Sequence, residues 1–215
     1  MVRPSIYRDL ASLGVASVYE AAGAIGLVAG ALIQIVPATR AAGPARIALC
    51  GPGDNRAVHE VMARTQPGDV LVLALEKVEP VALLGELLAT QAKAHGVAGV
   101  LVEGAVRDVD ELRQLGLPVW ARYVHATAAT KVHRGAIDVP VNVGGVAIAP
   151  GYAVVLDADG AVVVPMERLE PVANAAADRR NRELRMRESF LVGELSYDLS
   201  GMRAEDEAGP VAPEP

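Results

Sequence analysis

A chain of 215 residues is long enough for one domain with a full hydrophobic core. Its residues are 52% apolar but only 3% aromatic, with 21 Gly and 14 Pro, the texture of a tightly packed α/β domain with many turns. A formal net charge of −6 argues against a nucleic-acid surface, and a single cysteine excludes an intrachain disulfide or a cysteine zinc cluster.

The opening MVRPSIYRDLASLG lacks a continuous apolar stretch of signal-peptide type, and the longest apolar runs, such as Val70 to Leu75, fall far short of a membrane span. A soluble, cytoplasmic protein with no membrane partner is the default expectation. Residues 7–23 read as a helix with glycine breaks, and a strand follows around Ala45 to Cys50. Asp54 to Arg64 has helical spacing in Val58, Val61 and Met62, and ends at the turn Gln66-Pro67-Gly68-Asp69. Val70 to Leu75 is a buried strand. Gly85 to His95 reads as a helix, with Gly96 placed to stop it. Val97 to Val102 is a second buried strand, after which Glu103-Gly104 is expected to turn the chain. Asp108 to Leu115 is a short helix closed by Gly116, and Pro118 to Ala121 is a strand. This alternation predicts parallel βαβ units. From Ile137 to Pro165 short Val-rich strands alternate with Gly and Asp turns, a pattern of hairpins. A long charged helix runs from Met166 to about Glu188, and its basic run Arg179-Arg180-Asn181-Arg182 reads as a solvated face. The expected organisation is a single domain over 1–200 and a disordered acidic, Pro-rich tail over 201–215.

Several familiar sites fail on inspection. Gly51-Pro52-Gly53 opens like a dinucleotide loop, but Arg56 stands where the third glycine belongs. His59-Glu60 opens like a zinc-protease helix, but Ala63 replaces the second histidine, and His95, His125 and His133 are scattered. No Walker loop and no Gly-x-Ser-x-Gly elbow exist, and Cys50, among apolar residues, reads as a small core residue. Carboxylates, arginines and backbone amides remain, the donors of a hard-metal or anion site.

The segment Gly85-Glu86-Leu87-Leu88 starts a helix at a glycine, which lets a ligand approach closely. The amides of Leu87 and Leu88 have no intrahelical acceptor and form a carboxylate cradle at the positive end of the dipole. Read structurally, the same segment is an amphipathic helix start in which Glu86 complements the dipole. Arg107-Asp108 follows a buried strand at its C-terminal end, where open α/β sheets place ligands. It supplies a cation and a metal-binding carboxylate, yet Asp108 with Glu111 equally fits a helix cap with a capping box.

Together, GELLATQAKAHGVAGVLVEGAVRDVDEL, GPGDN at Gly51 to Asn55, QPGDVLVL at Gln66 to Leu73, PVWA at Pro118 to Ala121 and DADGAVVVP at Asp157 to Pro165 resemble the RraA-like family. That family includes class II 4-hydroxy-4-methyl-2-oxoglutarate and 4-carboxy-4-hydroxy-2-oxoadipate aldolases. The resemblance covers roughly residues 10–190. It implies an α/β fold, an αββα sandwich like the swivelling phosphohistidine domain, assembled as a homotrimer or a hexamer with sites between subunits. It implies that Asp108 binds a divalent metal, Mg²⁺ or Mn²⁺, that Arg107 contacts the substrate oxo group, that Glu86 orders water, and that the amides of Leu87 and Leu88, next to Gly85, hold the pyruvyl carboxylate. A glutamate from a neighbouring subunit would complete the metal's water shell, with Glu183 the candidate and Glu188 second. The implied reaction is metal-dependent retro-aldol cleavage of a small 4-hydroxy-2-oxo acid to pyruvate and a second oxo acid, with oxaloacetate decarboxylation beside it. A non-catalytic regulator that binds ribonuclease E is the alternative, and a quinone methyltransferase lacks the glycine-rich cofactor loop. Glu103, Tyr123, His125-Ala126-Thr127 and Tyr152 depart from the family's usual pattern.

Overall fold

A computed structural model of the chain describes residues 5–209. In chain order the elements begin with α1 (Ile6–Ala21), β1 (Ile33–Gln34), β2 (Ala41–Cys50), α2 (Arg56–Met62), β3 (Val70–Leu75) and β4 (Ala82–Leu84). They continue with α3 (Glu86–Ala94), β5 (Gly99–Val106), α4 (Val109–Leu115), β6 (Val119–Val124), β7 (Ala136–Ile137), β8 (Val141–Val143) and β9 (Val146–Ile148). Last come β10 (Ala153–Asp157), β11 (Gly160–Val164), a 3-10 turn at Met166–Arg168, α5 (Leu169–Leu191), α6 (Ser196–Leu199) and α7 (Met202–Ala208).

The main sheet runs β1-β6-β5-β3-β2-β10-β11, with β4 added to β5 and β7 to β2. Its centre, β6-β5-β3-β2, is parallel, as the βαβ pattern requires. β2 is long enough to serve two partners: Ala45 to Cys50 pair in parallel with β3, whereas Ala41 to Pro44 pair antiparallel with β10.

Strand alternation sorts the apolar residues into three layers of contact. In β3, Leu71, Leu73 and Leu75 point to α2, α3 and α4, where they meet Val61, Ala89 and Leu112. The alternate residues Val70, Val72 and Ala74 point the other way, to Val143 of β8, Val154 of β10 and Val163 of β11. The opposite sides of β10 and β11, carrying Val155 and Val162, bury Leu10 of α1 and the α5 residues Leu169 and Val172. Because the one sheet folds over at β2, which pairs with both β3 and β10, the layers run helix, sheet, sheet, helix, the expected αββα arrangement. Trp120 sits between the sheets, its indole N–H donating to the Asp157 carbonyl at 2.8 Å. Truncating a wholly buried side chain such as Leu73 to Ala costs about 3 kcal/mol.

α1 breaks at Gly14, whose φ of 84° only glycine adopts readily. The break lets the Asp157 carboxylate accept the Val15 amide at 2.9 Å, and a Cβ at Gly14 would lie 2.6 Å from that oxygen.

One expectation of the fold needs correction. Glu103-Gly104 does not turn the chain, because β5 continues to Val106. Glu103 stays in the buried strand because Arg122 Nε donates to it at 2.6 Å and the Gly144 amide at 3.2 Å. The chain divides into two compact units, one ending at Ala176 and the other starting at Ala177. Within α5 the buried residues are Leu169, Val172, Ala173 and Ala176, so burial stops where the second unit begins. Within the expected tail, Met202–Ala208 forms a helix: Arg203 pairs with Asp198 and stacks over Tyr197, whose hydroxyl donates to Asp206. Residues 210–215 of that tail lie outside the described residues. Among the described residues no helix is long and apolar enough to cross a membrane.

Candidate active site

β4 pairs in parallel with the end of β5, with Ala82 opposite Ala105 and Leu84 opposite Val106. Both strands therefore deliver their chain to helices at the same edge: β4 through Gly85 into α3, β5 through Arg107-Asp108 into α4. The Arg107 amide donates to the Leu84 carbonyl at 3.1 Å and locks the two exits together.

Asp108 adopts left-handed backbone, φ 58° and ψ 46°, and its side chain makes no capping bond to α4. The capping box is thus overturned. The left-handed turn sends the carboxylate sideways, where Oδ2 accepts the Glu86 amide of α3 at 3.0 Å and lies 3.7 Å from Arg107 Nε. A non-glycine residue in this region costs about 1 kcal/mol, and such outliers gather at functional sites. Oδ1 accepts no hydrogen bond from the described residues, and the side chain is 41% exposed. Gly85 is needed here for space, since its φ of −136° is ordinary extended backbone. A Cβ would lie 2.5 Å from Asp108 Oδ2 and 3.2 Å from Arg107 Nε. The first intrahelical bond of α3 joins the Ala89 amide to the Gly85 carbonyl, which leaves the Leu87 and Leu88 amides without helical acceptors.

These groups line a cleft of about 200 Å³ together with Asn55 and His59 from the start of α2, Ala82, and Ala128, Ala129 and Lys131 from the loop after β6. Asn55 is buried; Nδ2 donates to the Leu83 carbonyl at 3.3 Å and Oδ1 has no partner. Burial and the Lys131 charge hold the His59 imidazole below its ordinary pKa and so favour its neutral form, outweighing the opposite pull of Asp54. Burial pushes the Cys50 thiol up to about 12, so it carries no thiolate at neutral pH and belongs to the core as expected. Arg107 and Lys131 are cations; Asp108 is the one carboxylate among the lining residues.

No group of three His, Cys, Asp or Glu side chains among the described residues forms a metal cage. A single carboxylate with a free oxygen beside anion-binding amides fits a hard cation that keeps most of its waters and shares the rest of its shell with substrate. It does not fit zinc, which takes three or four protein ligands.

The structure brings the expected residues Gly85, Leu87, Leu88, Arg107 and Asp108 together in one cleft. Glu86 stands at the same helix start but outside the lining, its Oε1 accepting the Thr90 hydroxyl at 2.9 Å. Glu183 lies in the second unit, paired with Arg179 at 2.8 Å. Asn55, His59 and Lys131 were not singled out as site residues. Asn55 closes the GPGDN motif and was within reach of that signal, whereas nothing local marks Lys131.

The fold and cleft define a class: an αββα domain with a cleft lined by Arg107, Asp108 and the first turn of α3 at the C-terminal ends of parallel strands. A family model described as Aldolase/RraA matches residues 15–163, and the chain belongs to the RraA-like family. A protein of Halalkalibacterium halodurans named "Putative 4-hydroxy-4-methyl-2-oxoglutarate aldolase" is 38% identical over 138 residues, covering 64% of this chain and 66% of that protein. The match thus spans just under two thirds of that relative's length. Among solved structures, an uncharacterized protein from Pseudomonas syringae superposes with a TM-score of 0.81 at 26% identity, covering 90% of this chain and 92% of the other. Streptomyces coelicolor RraAS2, described as an unusual member of the RNase ES inhibitor RraA protein family, gives 0.74 at 29% identity, covering 86% and 97%.

Proposed function

We propose that the chain is a class II aldolase that cleaves a 4-hydroxy-2-oxo acid of the 4-hydroxy-4-methyl-2-oxoglutarate type to pyruvate and a second oxo acid. The observation that carries this reading is the convergence of the Asp108 carboxylate, the Arg107 guanidinium and the free first-turn amides of α3 on one cleft. The name borne by the Halalkalibacterium halodurans relative supports it.

The Leu87 and Leu88 amides bind the substrate C1 carboxylate, and the α3 dipole adds to their hold. Arg107 faces the 2-oxo oxygen, where negative charge grows as the C3–C4 bond breaks and its electrons form pyruvate enolate. Glu86 orders the water that relays the C4 hydroxyl proton away, leaving a carbonyl on the departing fragment, and a proton returned through that water to C3 of the enolate gives pyruvate. Asp108 would hold Mg²⁺ or Mn²⁺, which supplies Lewis-acid stabilisation of the enolate when bound. Loss of CO₂ from oxaloacetate leaves the same enolate, so decarboxylation should accompany cleavage.

The reading includes a homotrimer or hexamer in which Glu183 of a neighbouring subunit completes the site. The exposed Met186, Phe190, Leu191 and Val192 of the second unit support association, since such apolar runs rarely stay in water. A coupled pyruvate assay on oxaloacetate and on 4-hydroxy-4-methyl-2-oxoglutarate, with Mg²⁺ and with EDTA, tests the proposal. Metal-dependent pyruvate release from both supports it; no release from either sinks it. The likeness to RraAS2 favours a second reading, a regulator of RNA processing, which retention of a ribonuclease E partner by an inactive protein would support.

A further inference from the structure

Asp54 is a carboxylate that the proposed reaction leaves unused, and it is completely buried. Its Oδ1 accepts the Arg56 amide at 2.7 Å, at the first residue of α2. Its Oδ2 accepts three donors from one loop: the Thr130 hydroxyl at 2.6 Å, the Val132 amide at 2.6 Å and the His133 amide at 3.1 Å. Backbone bonds reinforce the junction, from the Asn55 amide to the Thr130 carbonyl at 3.0 Å and from the Thr130 amide to the Gly53 carbonyl at 2.8 Å. The bonds fall on both sides of Lys131, whose own side chain is exposed and lines the cleft.

A lysine is a flexible point charge, and its ammonium stays over a cleft only if the backbone beneath it is fixed. Charged hydrogen bonds donated to a buried carboxylate are the strongest local means of fixing it. We propose that Asp54 is a positioning residue: it clamps residues 130–133 so that Lys131 binds a second anionic group of the substrate, making the cleft selective for dicarboxylic over monocarboxylic 2-oxo acids. Lys131 lines the same cleft as His59 and Arg107. The inference rests on the reading of the cleft as a 2-oxo acid site.

The test is calorimetric binding of pyruvate and of 2-oxoglutarate, in Mg²⁺, to the intact chain and to Asp54→Asn, Lys131→Ala and their double variant. An asparagine keeps the size of the side chain but turns one acceptor into a donor facing amides. Asp54→Asn and Lys131→Ala are each expected to weaken 2-oxoglutarate about tenfold and pyruvate less than about twofold, with the double variant no weaker than Lys131→Ala alone. Thr130→Val, which keeps the carboxylate and loses one bond, should weaken 2-oxoglutarate about threefold and stands in if Asp54→Asn fails to fold. Equal weakening of both ligands, unchanged 2-oxoglutarate binding, or additive losses in the double variant would overturn the clamp while leaving the 2-oxo acid reading intact. A parent chain that binds neither ligand overturns that reading, and the inference with it.

Discussion

Asp54 and Asp108 both sit at strand-to-helix exits on the same edge of the sheet, and they are built in opposite ways. Asp54 is wholly buried, and four donors from α2 and the 130–133 loop saturate it. Asp108 is 41% exposed, in left-handed backbone, with one oxygen bonded to the Glu86 amide and the other open to the cleft. A saturated carboxylate holds structure; a strained, half-used one is available to a ligand. The contrast separates stability from chemistry within one wall of the molecule.

The largest expected effect breaks the exposed side of that contrast. Asp108→Asn tolerates left-handed backbone and can still accept the Glu86 amide, so thermal stability should stay within about 1 kcal/mol of the parent. Pyruvate release, however, should fall by about 10³-fold or more in steady-state kinetics, because the charge that holds the cation is gone. Full, EDTA-resistant turnover in this variant would contradict the metal-dependent mechanism. Next comes Gly85→Ala, which pushes the Asp108 and Arg107 side chains from their places. About 10²-fold loss of kcat/KM with an unchanged fold by circular dichroism is the expected outcome.

The buried side is read by stability. Asp54→Ala strands buried donors and should cost about 3 kcal/mol in urea unfolding. Burial opposes the Asp54 charge, but the hydrogen bonds from Thr130, Arg56, Val132 and His133 outweigh it and hold the carboxyl well below the usual carboxylate range. A depressed folded pKa means the carboxylate stabilises the fold fully above its unfolded pKa of about 3.9, and that contribution fades as pH falls below it. The gap in melting temperature between the parent and Asp54→Ala should therefore narrow only below about pH 4. A gap that shrank already near pH 6 would point to a different group. The smallest effect is on Cys50: Cys50→Ala should leave turnover unchanged and lower stability by about 1 kcal/mol.

Legibility in the sequence followed the range of the interaction. Gly85 to Leu88 and Arg107-Asp108 were readable because each is a contiguous segment whose helix-start chemistry is local. The capping-box alternative at Asp108 fails for the same reason. Its spacing satisfies the motif, but the competing Glu86 amide arrives only through the β4–β5 pairing. Glu103 reads as a turn residue because a lone acid seldom sits in a buried strand. The buried Arg122 that permits it is 19 residues away. Asn55, His59 and Lys131 come from α2 and from the loop after β6, and no short pattern links them.

The sequence by itself determined the parallel α/β architecture, the family and the two segments of the cleft. Hydrophobic alternation and helix-start chemistry act over a few residues and leave a direct imprint on residue order. Only the tertiary structure decided which way the Asp108 carboxylate turns, that Asp54 is a clamp and that Lys131 stands over the cleft. It also decided where the first unit ends. Each of these depends on backbone donors and charges far apart in the chain, whose meeting is set by strand pairing and burial rather than by neighbours in sequence.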